Sequence, residues 1–273
     1  MENKYAVIGN PIHHSKSPQI HLAFAKQEQV TISYDRILAE QDQFSQHVND
    51  FVSHGGLGLN VTVPFKLVAF QQCQQLNEYA QSAGAVNTLS FDADTGWAGA
   101  NTDGIGLLAD LKNNLGLQLK DKTILILGAG GATRGILLPL LQQHPSQILI
   151  ANRTVAKANS LADSFSIAGN IDSCGFNDID TQQFDLIINA TSASLNNDVP
   201  PIPPGTVGEN TICYDLAYSD QPTAFLQWSN QLNAKKSIDG IGMLIEQAAE
   251  SYYIWRGYRP DTLPVFKLLR PSN

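Results

Sequence analysis

Residues 123–151 leave the chain few ways to fold. Thr123-Ile124-Leu125-Ile126-Leu127 is an unbroken β-branched and aliphatic run, the pattern of a strand buried on both faces of a parallel sheet. Gly128-Ala129-Gly130-Gly131-Ala132-Thr133 follows at once. A helix then leads to a second apolar run, Gln147-Ile148-Leu149-Ile150-Ala151. Strand, helix and strand within about thirty residues make a βαβ unit. A glycine turn between strand and helix lets backbone N–H groups approach a pyrophosphate, which the positive end of the helix favours. Thr133 stands where the usual pattern has its third glycine. A tight turn without a ligand is the alternative, but the strand-turn-helix context is what a dinucleotide fingerprint requires.

The end of the second strand selects the dinucleotide. An NAD enzyme places Asp or Glu there to bind the ribose 2′-hydroxyl. This chain has Asn152-Arg153-Thr154, with no carboxylate. Arg153 offers a planar, permanently charged fork suited to a phosphate, and Thr154 adds a hydroxyl. NADP is therefore expected over NAD, the alternative being that Arg153 is an ordinary surface charge.

Two polar segments lie upstream at the ends of strand-like runs: Asn60-Val61-Thr62-Val63-Pro64-Phe65-Lys66 and Asn101-Thr102-Asp103-Gly104. Together they supply an amine and a carboxylate for proton transfer beside a nicotinamide site, the equipment for alcohol oxidation. Lys66 could equally be an exposed lysine, and Asp103 could cap the helix that follows. Which of the two carries the proton stays open, because the groups form a coupled pair. A third segment, His13-His14-Ser15-Lys16-Ser17-Pro18, places two hydroxyls before a helix. They could clamp a ligand carboxylate, but Ser17 as N-cap with proline at the first helical position is the expected use. The histidines lack metal-ligand spacing, and no metal is expected.

Further strands are expected at 5–9, 34–38, 58–63, 86–91, 97–100, 184–190 and 211–214, with a helix over about 17–28. A helix between Asp103 and Leu115 separates two differently patterned regions. The stretch 240–255 reads as an amphipathic helix too short to stand alone, expected to return to the first domain. The chain of 273 residues is long enough for two domains. A net charge of −8 argues against nucleic acid and against an acidic membrane surface as partners. Three scattered cysteines fit a reducing compartment, and no signal peptide or membrane-length apolar run is present, so a cytoplasmic location is expected.

These segments together resemble shikimate dehydrogenase of the short, monofunctional, NADP-dependent bacterial type. The resemblance runs nearly end to end. It includes 5–18, 60–66, Gly84-Ala85-Val86-Asn87-Thr88-Leu89, 101–106, 128–134, 152–154 and Asp239-Gly240-Ile241-Gly242-Met243-Leu244 leading to Gln247. It implies reversible NADP-linked oxidation of shikimate to 3-dehydroshikimate, a step of chorismate and aromatic amino-acid biosynthesis, with Lys66 and Asp103 as the catalytic pair. It also implies that Ser15, Ser17, Thr62, Lys66, Asn87, Asp103, Tyr218 and Gln247 bind the substrate. NADP would be held by Gly128, Ala129, Gly130, Gly131 and Ala132, by Asn152, Arg153 and Thr154, and by Val155, Ala156 and Lys157. Leu216 and Gly240 would approach the nicotinamide, and Glu78 is a further cofactor candidate. Two departures stand out. The family commonly has glycine two residues after Asn189-Ala190-Thr191-Ser192, where this chain has Ala193-Ser194-Leu195, and Tyr218 is followed by Ser219-Asp220-Gln221 where Asn-Pro is frequent.

The expected fold is α/β. An N-terminal substrate domain (1–103) precedes a Rossmann-like NADP domain (104–237), and C-terminal helices (238–273) pack back on the first. Two passages between domains suggest a hinge and closure over the ligands. Shikimate is the expected partner, and a homodimer is left open. Two rivals remain, a quinate/shikimate dehydrogenase using NAD as well as NADP, and a catalytically silent NADP-binding regulator. The absent carboxylate at 152–154 argues against the first, and retention of both Lys66 and Asp103 against the second.

Overall fold

The computed structural model describes residues 3–270, which form two compact units. One comprises residues 1–107 and 244–273, the other residues 108–243. The expected boundary at 237/238 falls inside a strand of the second unit, Lys236–Asp239.

In the first unit the elements run β1 (Asn3–Gly9), α1 (Ser17–Glu28), β2 (Ile32–Leu38), α2 (Phe44–Ser53), β3 (Gly56–Val61), α3 (Lys66–Gln72), β4 (Gln75–Leu76), α4 (Glu78–Ala83), β5 (Thr88–Asp92), β6 (Gly96–Ala100) and α5 (Asp103–Ala109). The sheet order is β2-β1-β3-β5-β6-β4. β1, β2 and β3 are parallel, and β5 is antiparallel to both β3 and β6. The carboxyl ends of β1, β3 and β6 and the amino end of β5 therefore share one edge of the sheet. Ser15, Lys66, Asp103 and Asn87 follow or precede those ends and are gathered there by topology.

Several local expectations need correcting. Ser17 does not cap α1: the flanking residue is Lys16, and no side chain caps the helix. Ser17 is buried, and its hydroxyl accepts from Ser15 Oγ at 3.1 Å instead. β3 ends at Val61, so Thr62 and Val63 belong to the loop rather than the strand. β5 starts at Thr88 rather than Val86. The helix begun at Asp103 gives way to one wide turn over Asp110–Asn114.

The second unit runs β7 (Thr123–Leu127), α6 (Gly131–Leu141), β8 (Gln147–Ala151), α7 (Val155–Phe165), β9 (Ile171–Cys174), β10 (Leu186–Asn189), β11 (Ile212–Asp215), α8 (Ala224–Gln231) and β12 (Lys236–Asp239). Every pairing is parallel, in the order β12-β11-β10-β7-β8-β9. This is the doubly wound order whose switch point, between β7 and β10, is where such sheets bind ligands. The side chains from Ile124 to Leu127 are fully buried, as a sheet covered on both faces demands. The chain then returns to the first unit along α9 (Ile241–Arg256), followed by α10 (Leu263–Leu269). No helix among the described residues is long and apolar enough to cross a membrane.

Candidate active site

The shared edge of the first sheet carries a buried polar network. Lys66 opens α3, and its Nζ donates to Asp103 Oδ2 at 2.5 Å. Asp103 Oδ1 accepts from Asn87 Nδ2 at 2.7 Å. Both carboxylate oxygens are thus engaged, and the Asp103 side chain is only 8% exposed. Its backbone N–H donates to Asn101 Oδ1 at 3.1 Å, so Asn101 shapes the start of α5 and the Asp103 carboxylate is left for Lys66 and Asn87. The Lys66 side chain is 22% exposed, and among the described residues Asp103 is its one hydrogen-bond partner. An ammonium has three donors, so two remain for a ligand oxygen.

Asn87 is the centre of the network. Its Nδ2 also reaches Thr102 Oγ1 at 2.9 Å and, more weakly, Gln247 Oε1 at 3.3 Å. Its Oδ1 accepts from Thr102 N at 2.9 Å and Thr88 Oγ1 at 2.9 Å. Gln247 comes from α9, which lies close to α5. A Cβ placed on Gly106 would stand 2.5 Å from the Gln247 backbone nitrogen, so glycine is required for this approach.

Beyond Asn87 the network continues inward. Thr88 Oγ1 meets Ser251 Oγ at 2.7 Å, Asn60 Nδ2 donates to Ser251 Oγ at 3.0 Å, and Tyr34 donates to Asn60 Oδ1 at 2.7 Å. Burial holds the Tyr34 hydroxyl well above its ordinary pKa, with Ser17 and Arg36 opposing, so it stays a donor. Fully buried His21 stacks on Tyr34 at 4.4 Å. Neither His21 ring nitrogen has a hydrogen-bond partner among the described residues. Burial lowers its pKa to about 3; nearby Asn60 opposes the shift without completing a hydrogen bond.

Asn60 and Thr102 lie within the two polar segments without an assigned role, and Ser251 and Tyr34 lie outside them. Ser251 alone had a usable signal: it follows Gln247 by one helical turn and so shares its face of α9. Ser15 and Thr62 sit half-buried on loops at the same sheet edge. Glu78 is exposed at the start of α4 in the first unit, whereas Tyr218 lies in the second, where burial raises its pKa.

In the second unit the turn after β7 has the form a pyrophosphate needs. Gly128 has φ +102°, which disfavours any side chain, and an added Cβ would meet the Ala190 carbonyl oxygen and Thr191 Cγ2 at 3.2 Å. Added Cβ atoms at Gly130 and Gly131 would meet nothing within 4 Å, so their backbone faces open space at the start of α6. Thr133 replaces the third glycine by turning its hydroxyl back onto the Gly128 carbonyl at 2.8 Å. At the end of β8, Asn152 Nδ2 donates to the Thr154 carbonyl at 2.9 Å, while Arg153, Thr154, Val155, Ala156 and Lys157 are all exposed around the start of α7. An open glycine cradle, two helix N-termini and an exposed guanidinium fit a phosphorylated dinucleotide. Among the described residues no group of three or more His, Cys, Asp or Glu is placed to hold a metal ion.

A doubly wound sheet with an open glycine turn, together with a separate α/β unit carrying a partly buried lysine–aspartate pair, defines a dinucleotide-linked oxidoreductase. Comparison with known proteins gives the family. The model for the shikimate dehydrogenase substrate binding domain matches residues 7–89, that for shikimate / quinate 5-dehydrogenase residues 109–197, and that for the shikimate 5′-dehydrogenase C-terminal domain residues 240–265. A shikimate dehydrogenase (NADP(+)) of Nitrosospira multiformis is 51% identical over 272 residues, covering 100% of this chain and 98% of its own. The structure of an Ael1 enzyme from Pseudomonas putida superposes with a TM-score of 0.93 at 45% identity, covering 98% of both chains. A shikimate 5-dehydrogenase from Thermus thermophilus, solved with NADP(H) and shikimate, has a TM-score of 0.85 at 29% identity over 96% of each chain. The chain belongs to the shikimate dehydrogenase family.

Proposed function

We propose that the chain is an NADP-dependent shikimate dehydrogenase, reversibly oxidising shikimate to 3-dehydroshikimate on the route to chorismate and the aromatic amino acids. The observation that carries this reading is the Lys66–Asp103 pair, with both carboxylate oxygens fixed and the ammonium left with free donors. The substrate is taken by Lys66, Asp103, Asn87 and Gln247 at its hydroxyls, with Thr62 beside them, and by Ser15, Ser17 and Tyr218 at its carboxylate. Residues of the second unit hold NADP: the turn 128–132 at its pyrophosphate, and Asn152, Arg153 and Thr154 with the first turn of α7 at its 2′-phosphate. Leu216 and Gly240 flank the nicotinamide, with Glu78 as an outlying contact. When bound, NADP supplies the hydride acceptor for the carbon that bears the reacting hydroxyl.

The proton leaves by the protein. As the substrate hydroxyl becomes a carbonyl, its proton passes into the Lys66–Asp103 pair. In the reverse direction the Lys66 ammonium stabilises the developing alkoxide and donates to it. Asp103 fixes the amine in position and is itself fixed by Asn87. An assay following NADPH absorbance on mixing the chain with shikimate and NADP tests the reading directly. Absence of turnover with shikimate would refute it, and turnover of quinate with NAD at comparable rates would favour the dual-specificity rival. A cytoplasmic location is part of this proposal and accords with free Cys73, Cys174 and Cys213. Sedimentation of the purified chain decides between a monomer and a homodimer.

A further inference from the structure

The loop after β10 departs from the family pattern at Ser194, and the structure gives that serine specific partners. Asn189, fully buried at the end of β10, accepts at Oδ1 from Thr191 N at 3.1 Å and Thr191 Oγ1 at 2.7 Å. Its Nδ2 donates to Ser194 Oγ at 3.1 Å and to Asp215 Oδ1 at 3.2 Å. Ser194 Oγ donates in turn to Asp215 Oδ2 at 2.6 Å, closing a ring of three side chains. Asp215 is fully buried at the end of β11. Its remaining donors are Thr223 Oγ1 at 2.6 Å and the backbone N–H of Ala217 at 3.1 Å. Glycine at position 194 would leave Oδ2 of this buried carboxylate with Thr223 alone. A buried carboxylate short of donors is costly.

The ring joins three loops at the ligand-binding edge of the second sheet. Ser194 anchors the loop after β10, and Asp215 orients the segment after β11 through Ala217. The Ala217 carbonyl then accepts from Gly240 N at 3.1 Å, after β12. Leu216 and Gly240, the residues assigned to the nicotinamide, lie on the two later segments. Exposed loops are mobile unless tied, and among the described residues only Ser194 ties the first of these loops to the Asp215 carboxylate.

We propose that Ser194 is a positioning residue for the cofactor, locking the loop after β10 to the Asp215 carboxylate so that the walls of the nicotinamide side keep one shape. The inference rests on the reading of this unit as the NADP unit. In the full chain, Ser194→Ala is expected to raise the Michaelis constant for NADP about three- to tenfold, leaving that for shikimate within about twofold. Ser194→Thr, which keeps the hydroxyl, is expected to restore the NADP value. A purely structural serine would lower the thermal midpoint in Ser194→Ala without moving the NADP constant. That result, or equal NADP constants in the alanine and threonine variants, overturns the proposal. Failure of the unaltered chain to bind NADP is a different outcome: it removes the functional reading, and this inference with it.

Discussion

The two sheet edges proposed to bind ligands are built on opposite principles. At the first sheet the groups are side chains, buried or half-buried and mutually bonded: Lys66, Asp103, Asn87, Thr102, Gln247 and Ser251 form one continuous network. At the second, the proposed phosphate surface is open backbone at Gly130 and Gly131, with exposed Arg153 and Lys157 at the next strand end. The difference follows from the chemistry each must perform. A proton must be handed over at a fixed place, so the groups that move it are held by several hydrogen bonds in a partly desolvated site. A phosphate needs only charge and N–H donors, which a helix N-terminus supplies without buried side chains. Substitutions at the first edge should therefore act on kcat, those at the second on cofactor affinity.

The largest effect is expected from Lys66→Ala. It removes the donor to the developing alkoxide and leaves Asp103 Oδ2 without its partner, while Asn87, Thr62 and Gln247 remain to hold substrate. Steady-state kinetics should show kcat reduced by roughly 10²–10⁴-fold, with a much smaller rise in the Michaelis constant for shikimate. A variant that kept its kcat and lost only shikimate affinity would erase the distinction between the two edges.

The depth of the first network has a second consequence, in stability. His21 is neutral when folded, its pKa lowered by burial to about 3, whereas in the unfolded chain it titrates near 6.5. Between those values the unfolded state binds a proton that the folded state refuses. This residue's contribution to stability is thus intact above about pH 6.5 and falls on acidification, approaching on the order of 1 kcal/mol per pH unit well below that value. His21→Phe keeps an aromatic ring against Tyr34 but cannot ionise. Urea unfolding from pH 7 to pH 5 should give a shallower loss for the variant than for the parent chain. Identical slopes would mean that the imidazole is protonated inside the fold.

The same contrast explains what could be read from sequence. β7, β8 and β10 announce themselves because strands covered on both faces are largely aliphatic, and β11 shows as the short apolar stretch Ile212-Cys213-Tyr214. The edge strands β9 and β12 were missed. They carry Asp172, Ser173, Lys236 and Ser237 among half-exposed positions and make no apolar run. Lys66 and Asp103 stood out as charges at strand ends. The hydroxyls of Tyr34, Thr102 and Ser251 did not, because their pairing exists only once β2, β5 and α9 are packed together. Ser17 misled for a related reason. A serine before proline is a local capping signal, yet the approach of Ser15 drew its hydroxyl elsewhere. Ser194 looked like a defect in a glycine motif, and only its distance to Asp215 gives it a partner.

The smallest effect is expected at the open edge, and its size is informative. Arg153 is exposed, so its attraction for a 2′-phosphate is screened by solvent and salt. Backbone N–H groups of the glycine turn and the helix N-termini would still hold the pyrophosphate without it. Arg153→Ala should raise the Michaelis constant for NADP by roughly tenfold at low ionic strength and by less at high salt, with kcat nearly unchanged. NAD, which lacks the 2′-phosphate, should be used no worse by the variant than by the parent chain. An equal loss for both cofactors would place Arg153 on the shared pyrophosphate. No change for either would make it a solvated surface charge, leaving Asn152, Thr154 and Lys157 to discriminate between the two cofactors.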